Sequence, residues 1–478
     1  MFTTIAKPLI TSILLFLTAH ISCFATVFKV GSTRVYKTPN ALYSANIVQD
    51  GDTIEIDAET YTGLDCLAVW ENNNLIIKGV GGRPHLIADG MNILGKGIWV
   101  CAGDNITVEN IEFSGAVVLD KNGAGIRLDG AGLTVKQCYF HDNENGILTG
   151  NAPMSDILVE FTEFANNGFG DGFSHNIYVN RINRLTFRYN YSHHAKVGHN
   201  LKSRARENII MYNRIMDEDT GNSSRLIDLP NGGFSIIMGN LLMQGENAIN
   251  ENLVGFGLEG FIYIFNALYV VNNTMVNKRA TSSVFLDTDS GTNTLDVRNN
   301  IFAGTGTVLN GATATNMANN FIDPIIANAG FINEANYDYK LTSSSPAIDN
   351  GLTTMQSVSG FSLTPEFHYE HKTMSGVRTN NNDIDIGSYE FDSALSTVDF
   401  TFNDAKLYPN PFKDVLNIES NKLNIKNLKV FNVLGQDFTD KITVKPFQSR
   451  MQIDTSNLSQ GVYFVSFRGR THRVLKKV

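Results

Sequence analysis

Charged side chains are scarce in this chain: Asp, Glu, Lys and Arg make up only 18% of its 478 residues. The balance is mildly acidic, at a net charge of −9. That excludes the basic surface nucleic acid requires, although a local basic cleft could still take a polyanion. Long apolar runs are missing beyond the N-terminus. There Lys7 precedes an apolar stretch from Pro8 to Ala19, too short to span a bilayer, and Cys23-Phe24-Ala25 offers small residues for cleavage. Residues 1–25 therefore read as an export signal, with a mature chain beginning near Thr26 and no membrane span in it. Acylation of Cys23 is the second choice, because His20 stands where a Leu is expected. Cysteine is as scarce. Cys66, Cys101 and Cys138 are an odd number without metal-ligand spacing, and read as small buried apolar residues.

What is abundant is Gly (41 residues) and Asn, a composition that suits short strands and tight turns. A chain this long exceeds one ordinary compact domain unless it grows along an axis. A repeated phrase supplies that axis: an apolar residue, an Asn two positions on, then further apolar residues. It begins at Val108, Met211, Met238, Val271 and Val297, with weaker copies at Val135, Val159 and Phe187. The spacings, 27, 24, 28, 24, 27, 33 and 26, predict a solenoid of β-coils. The Asn suits a turn position, where its amide ladders onto the next coil; this is a structural role.

Asp50–Ile56, Leu75–Val80 and Gly81-Gly82-Arg83-Pro84 resemble the first coils of pectinase-type β-helices. Tyr337–Leu341, Ser345–Asp349 and Asp383–Gly387 resemble the closing segment of secreted bacterial β-helix proteins, which is expected to cover the last coil, an open sheet edge. The fold class is thus expected to be all-β: a right-handed parallel β-helix over 26–391, a polar linker over 392–400, and a small C-terminal β-sandwich over 401–478. In that last part Leu407–Phe412, Leu428–Gly435 and Leu458–Phe464 resemble the C-terminal sorting domain of type IX secretion, found in Bacteroidetes. The resemblance implies a partner in the secretion machinery and a secreted or cell-surface protein. A carbohydrate-binding sandwich is the alternative, with few aromatics to make a sugar platform.

Aligning strands by their period of two gives inward pairs Ile177/Val179, Leu201/Ser203 and Ile227/Leu229, with an outward row Tyr178, Lys202, Asp228 between them. Arg127 stands in the same column two coils earlier and Gly255 one coil later; Arg204 lies one pleat aside. His175, His193, His194 and His199 cluster nearby, with Arg206 and Arg225. The bland reading is a solvated ladder in which Lys202 and Asp228 form a weak surface ion pair. On the same reading His193 and His194 are exposed or capping turn residues, and His175 is a core residue. Asp217-Glu218-Asp219 could hold Ca²⁺, although a charged solvated turn is preferred.

Such a row suits β-elimination on a uronic-acid polymer, in which cations neutralise the carboxylate, a base takes the α-proton and an acid protonates the leaving oxygen. Lys202, Asp228, Tyr178, Arg204 and His199 are the expected catalytic set, and Arg127, Asn176, His193, His194, Asn200 and Arg225 the expected substrate contacts, with no metal required. Lys202 is base or carboxylate clamp; if Asp228 holds it, Tyr178 or His199 is the base. Lys202-Ser203 followed by Asn208 resembles chondroitinase-B-like and alginate lyases, which also place an Arg on the next coil. Here Asp228 and Pro230 stand in those positions. The alternatives are a hydrolase or epimerase on the same fold, a hydrolase needing clustered carboxylates, and a non-catalytic glycan-binding surface protein. The chain is expected to act as a monomer on an acidic polysaccharide.

Overall fold

The computed structural model describes residues 25–281, 283–353, 357–379, 382–391, 405–420, 428–432, 436–447, 450–467 and 470–477. The export signal and the 392–400 linker lie outside the described residues, Ala25 excepted. No helix among the described residues is long and apolar enough to cross a membrane. The chain divides between Asp392 and Ser393 into two compact units.

The first unit is a right-handed parallel β-helix. Each coil runs through three sheets in turn, and among the described residues these hold 12, 11 and 10 strands. One coil is Ile106–Glu109 in the first sheet, Glu112–Ser114 in the second and Ala124–Leu128 in the third, before Leu133–Lys136 re-enters the first. Stacking is in register: Val108 pairs with Val135, Val135 with Val159, and Val159 with Phe187. The interior is close-packed, with Phe113, Phe140 and Phe164 stacked ring on ring at 4.8 and 5.1 Å. Cys66, Cys101 and Cys138 are free and buried in it.

The repeat read from the sequence is corrected by one residue in three coils. Phe187 pairs with Ile210, Ile210 with Ile237, Ile237 with Val270 and Val270 with Val297, so Met211, Met238 and Val271 belong one position later. The cause is burial on both faces. Met238 and Val271 point away from the helix interior but pack, with Tyr189 and Tyr212, against Leu363. A strand apolar on both faces loses the alternation that sets register.

Between the first and second sheets the chain turns on a residue of positive φ, such as Asn110 (55°), Tyr212 (56°) and Asn299 (57°). The next residue points inward. From Asn190 onward that residue is always Asn: Asn190, Asn213, Asn240, Asn273, Asn300 and Asn320 form one ladder, each Nδ2 donating to the next Oδ1 at 2.9–3.1 Å. A second ladder runs through Asn143, Asn167, Asn176 and Asn200 and ends on Asp217.

Asp217 is fully buried, and burial pushes its carboxyl up to about 6, against the lowering effect of Ser223 and Asn200. The folded state therefore holds this proton more tightly than the unfolded chain. Stability should fall as pH rises from about 4 to about 6 and stay level above that. Asp217→Asn should flatten this dependence and add on the order of 1–3 kcal/mol at neutral pH, read from denaturation midpoints across that window. An unchanged pH profile would refute the assignment.

The segment after residue 323 does not simply cap the last coil, as expected, but packs along the flank of the helix. Tyr339, Leu341, Tyr369, Ile386 and Tyr389 form one apolar cluster with Tyr191, Met216, Leu241, Met243, Val276 and Ile301. Outward apolar residues on the second sheet, not only the open end, require this cover.

The second unit is a small antiparallel β-sandwich. Among the described residues, a four-stranded and a three-stranded sheet enclose Phe412, Leu416, Ile418, Val430, Ile453, Tyr463, Val465 and Val474.

Candidate active site

The third sheet positions the row. Tyr178 pairs with Lys202, Lys202 with Asp228 and Asp228 with Gly255, while Ile177, Val179, Leu201, Ile227 and Leu229 on the other face are wholly buried. Arg127 pairs with Leu148, and Leu148 with Tyr178. Arg127 therefore stands two coils away, engaged with Asp129 at 3.0 Å.

The row is not solvated, which corrects both the surface ion-pair reading and the picture of an open outward row. Lys202 is 8% exposed and Asp228 0%. The cover is the connection from Gly257 to Asn266. Its Glu259 backbone N–H donates to Pro230 O at 3.0 Å, and its Tyr263 hydroxyl donates to Arg204 O at 2.6 Å. Gly257 and Gly260 have φ of 78° and 90°, so glycines bracket Glu259 where the backbone is left-handed.

Glu259 links the cations. Lys202 Nζ lies 2.9 Å from its Oε1 and 3.2 Å from Asp228 Oδ2. Arg204 Nη2 lies 2.5 Å from Glu259 Oε2. Arg204 also donates through Nε to the Tyr178 hydroxyl at 2.8 Å and through Nη1 to Asn231 Oδ1 at 2.6 Å. Burial would raise the Glu259 carboxyl, but Lys202 and Arg204 outweigh it and hold it below the ordinary range. At Asp228 burial wins over Lys202 and Arg225, and the carboxyl is raised.

His199 and Arg225 complete the cluster beneath the row. Arg225 Nη1 is 3.2 Å from Asp228 Oδ1. His199 Nδ1 accepts the Arg225 backbone N–H at 3.0 Å, so its neutral ring carries the proton on Nε2, 3.4 Å from Asp228 Oδ2. Burial, then Lys202 and Arg225, push His199 well below its ordinary value. His175 stacks on it at 4.8 Å and accepts its backbone N–H, a core role.

Four expected contacts lie elsewhere. Asn176 and Asn200 are wholly buried in the interior ladder, where no substrate reaches them. His193 and His194 sit on the other flank, with His193 Nε2 at 3.3 Å from Glu163 and His194 Nε2 at 3.1 Å from Thr220. His193 lines a groove of about 780 Å³ between the second sheet and the closing segment, with Glu163, Arg214 and Lys372. Two of its cations are met by protein carboxylates, Lys372 by Glu163 and Arg214 by Glu218, while Lys340 lies over the Tyr389 ring. Asn208 is buried too, donating to Ala205 O and Ser235 Oγ. The Asp217-Glu218-Asp219 run makes no shared Ca²⁺ site. Asp217 points inward, Glu218 meets Tyr191 and Arg214, and Asp219 is largely exposed.

Glu259, Asn231 and Tyr263 were missed from the sequence. One signal existed: the spacing of 33 residues, longest in the series, falls in the coil that carries Glu259. A connection longer than its neighbours on a solenoid is a candidate functional edge.

Residues 406–478 match the family model "Secretion system C-terminal sorting domain". No curated protein matches the chain. Among solved structures, "Crystal structure of pectate lyase Pel9A" is similar at TM-score 0.51 and 14% identity, over 77% of this chain and 96% of that one. "Geobacillus virus E2 - ORF18" is similar at TM-score 0.36 and 13% identity, over 59% and 55%. The molecule is thus a parallel β-helix of the fold seen in pectate lyase Pel9A, carrying a type IX sorting domain that directs it to the cell surface or the medium.

Proposed function

We propose that the protein is a polysaccharide lyase that cleaves a uronate-containing polymer by β-elimination at the Lys202–Arg204 pair. One observation carries the reading: these two cations already hold a carboxylate, that of Glu259, in a bridge between Lys202 Nζ and Arg204 Nη2. A uronate carboxylate displacing Glu259 would gain the same two charge-assisted hydrogen bonds. Drawing charge from that carboxylate makes the carbon-bound α-proton acidic.

Lys202, set between two carboxylates, suits the clamp. His199 does not suit the base, because its one lone pair is taken by the Arg225 amide. Tyr178, reacting as the phenolate with its oxygen held by Arg204 Nε, takes the proton as base. The C–O bond at the β-carbon breaks as the double bond forms, and the phenol returns its proton to the leaving oxygen. Asp228 anchors Lys202. Its side chain is 1% exposed, which disfavours a hydrolase using Asp228 and Glu259 as its carboxylate pair.

Ultraviolet absorbance of unsaturated uronate, measured over a panel of acidic glycans, tests the reaction. Glu259→Ala should open the clamp, lowering KM several-fold while keeping kcat. Reducing ends released without that absorbance, and lost in Glu259→Ala, would replace elimination by hydrolysis. Tight binding without turnover would leave a glycan-binding protein.

A further inference from the structure

Three successive coils place His85, Glu112 and His141 side by side on the outer face of the second sheet. His85 pairs in register with Glu112 and Glu112 with Tyr139, while His141 follows two residues along on the same face. The donor atoms of all three converge within 4.8 Å of one another. His141 Nε2 is 3.1 Å and His85 Nε2 3.5 Å from Glu112 Oε1. Two ligands of a tetrahedral Zn²⁺, each about 2.0–2.1 Å from the metal, stand about 3.3 Å apart, so these separations are those of ligands on one ion.

The outer contacts fit as well. His141 presents its other nitrogen, Nδ1, to Asp142 Oδ2 at 2.9 Å, and Lys196 holds that carboxylate from the far side at 3.2 Å. A carboxylate behind a histidine fixes the ring and leaves Nε2 as the ligand atom, the arrangement metal-bound imidazoles require. With carboxylate oxygens at both nitrogens, His141 has no acceptor-free side. Without a metal a proton on Nε2 bridges to Glu112 at 3.1 Å, and a metal ion would take that proton's place. Tyr139 stacks on the His141 ring at 4.4 Å and limits its rotation. His85 Nε2 also meets Ser114 Oγ at 2.8 Å, a hydroxyl that can turn aside. Side-chain exposures of 26%, 24% and 17% for His85, Glu112 and His141 leave one coordination position open to solvent.

We infer that His85, Glu112 and His141 form a binding site for a single divalent transition-metal ion of the Zn²⁺ class, with its fourth position open to water or an anionic oxygen ligand. Two imidazoles and one carboxylate favour such an ion over Ca²⁺, which takes six to eight oxygens. The site lies on a different sheet from Lys202 and ties three coils together.

Untagged full-length protein titrated with Co²⁺ should bind one equivalent, with the visible absorption of a tetrahedral centre, and Zn²⁺ should displace it and raise Tm. His85→Ala and His141→Ala should abolish binding, and Asp142→Asn should weaken it by about tenfold or more. His193→Ala should leave it intact. Circular dichroism identifies any variant that has misfolded, and His141→Gln then serves in its place. Failure to bind one equivalent at micromolar metal, or binding that survives in both His85→Ala and His141→Ala, would overturn the site. Turnover on acidic glycans reads the Lys202 site separately, so either proposal can fail alone.

Discussion

Lys202→Ala is expected to abolish turnover and to destabilise the first unit by about 3 kcal/mol or more. The figure follows from burial. A solvated Lys–Asp pair contributes at most about 1 kcal/mol, but Asp228 is 0% exposed, and removing one partner of a buried pair costs about 3–5 kcal/mol. The lower end applies because Arg225 and His199 Nε2 remain beside Asp228, at 3.2 and 3.4 Å. Lys202→Met combined with Asp228→Asn should recover most of the stability and none of the activity, since the neutral pair needs no counter-charge and cannot clamp a carboxylate. Denaturant midpoints at constant slope measure the first effect and uronate absorbance the second. A loss below about 1 kcal/mol in Lys202→Ala would mean that water reaches the pair. Full activity would remove Lys202 from the reaction.

Asn240→Ala is expected to cost about 3–6 kcal/mol, through hydrogen bonds alone. Asn240 is wholly buried. Its Oδ1 accepts both the backbone N–H and Nδ2 of Asn213 at 2.9 Å, and its Nδ2 donates to Ile210 O at 2.9 Å. Alanine removes these bonds and the one to Asn273 Oδ1 at 3.0 Å; Asn213 Nδ2 keeps Phe187 O, but the other buried groups lose a partner, at about 1–3 kcal/mol each. Asn320 ends the same ladder half-buried, where water can replace its amide, so Asn320→Ala should cost about 1 kcal/mol. Equal losses at the two positions would show that ladder asparagines act through backbone turn preference instead.

The sequence by itself determined the solenoid, because apolar spacing in the twenties with turn residues between has few other solutions. It also determined the column Tyr178, Lys202, Asp228, since strands buried on their inner face carry a clean alternation. It misplaced register at Met211, Met238 and Val271, where the closing segment buries the outer face and the alternation vanishes. Only the tertiary structure decided that Asn176 and Asn200 face inward: an Asn at a turn is the same letter whether its amide ladders or meets solvent. Only the tertiary structure brought Glu259, 57 residues from Lys202, onto that lysine, or drew His85, Glu112 and His141 from three coils to one point. Periodicity reports which face a residue takes within its own coil. What covers that face, and so whether a charge there is solvated or buried, depends on chain returning from elsewhere, and no local pattern records it.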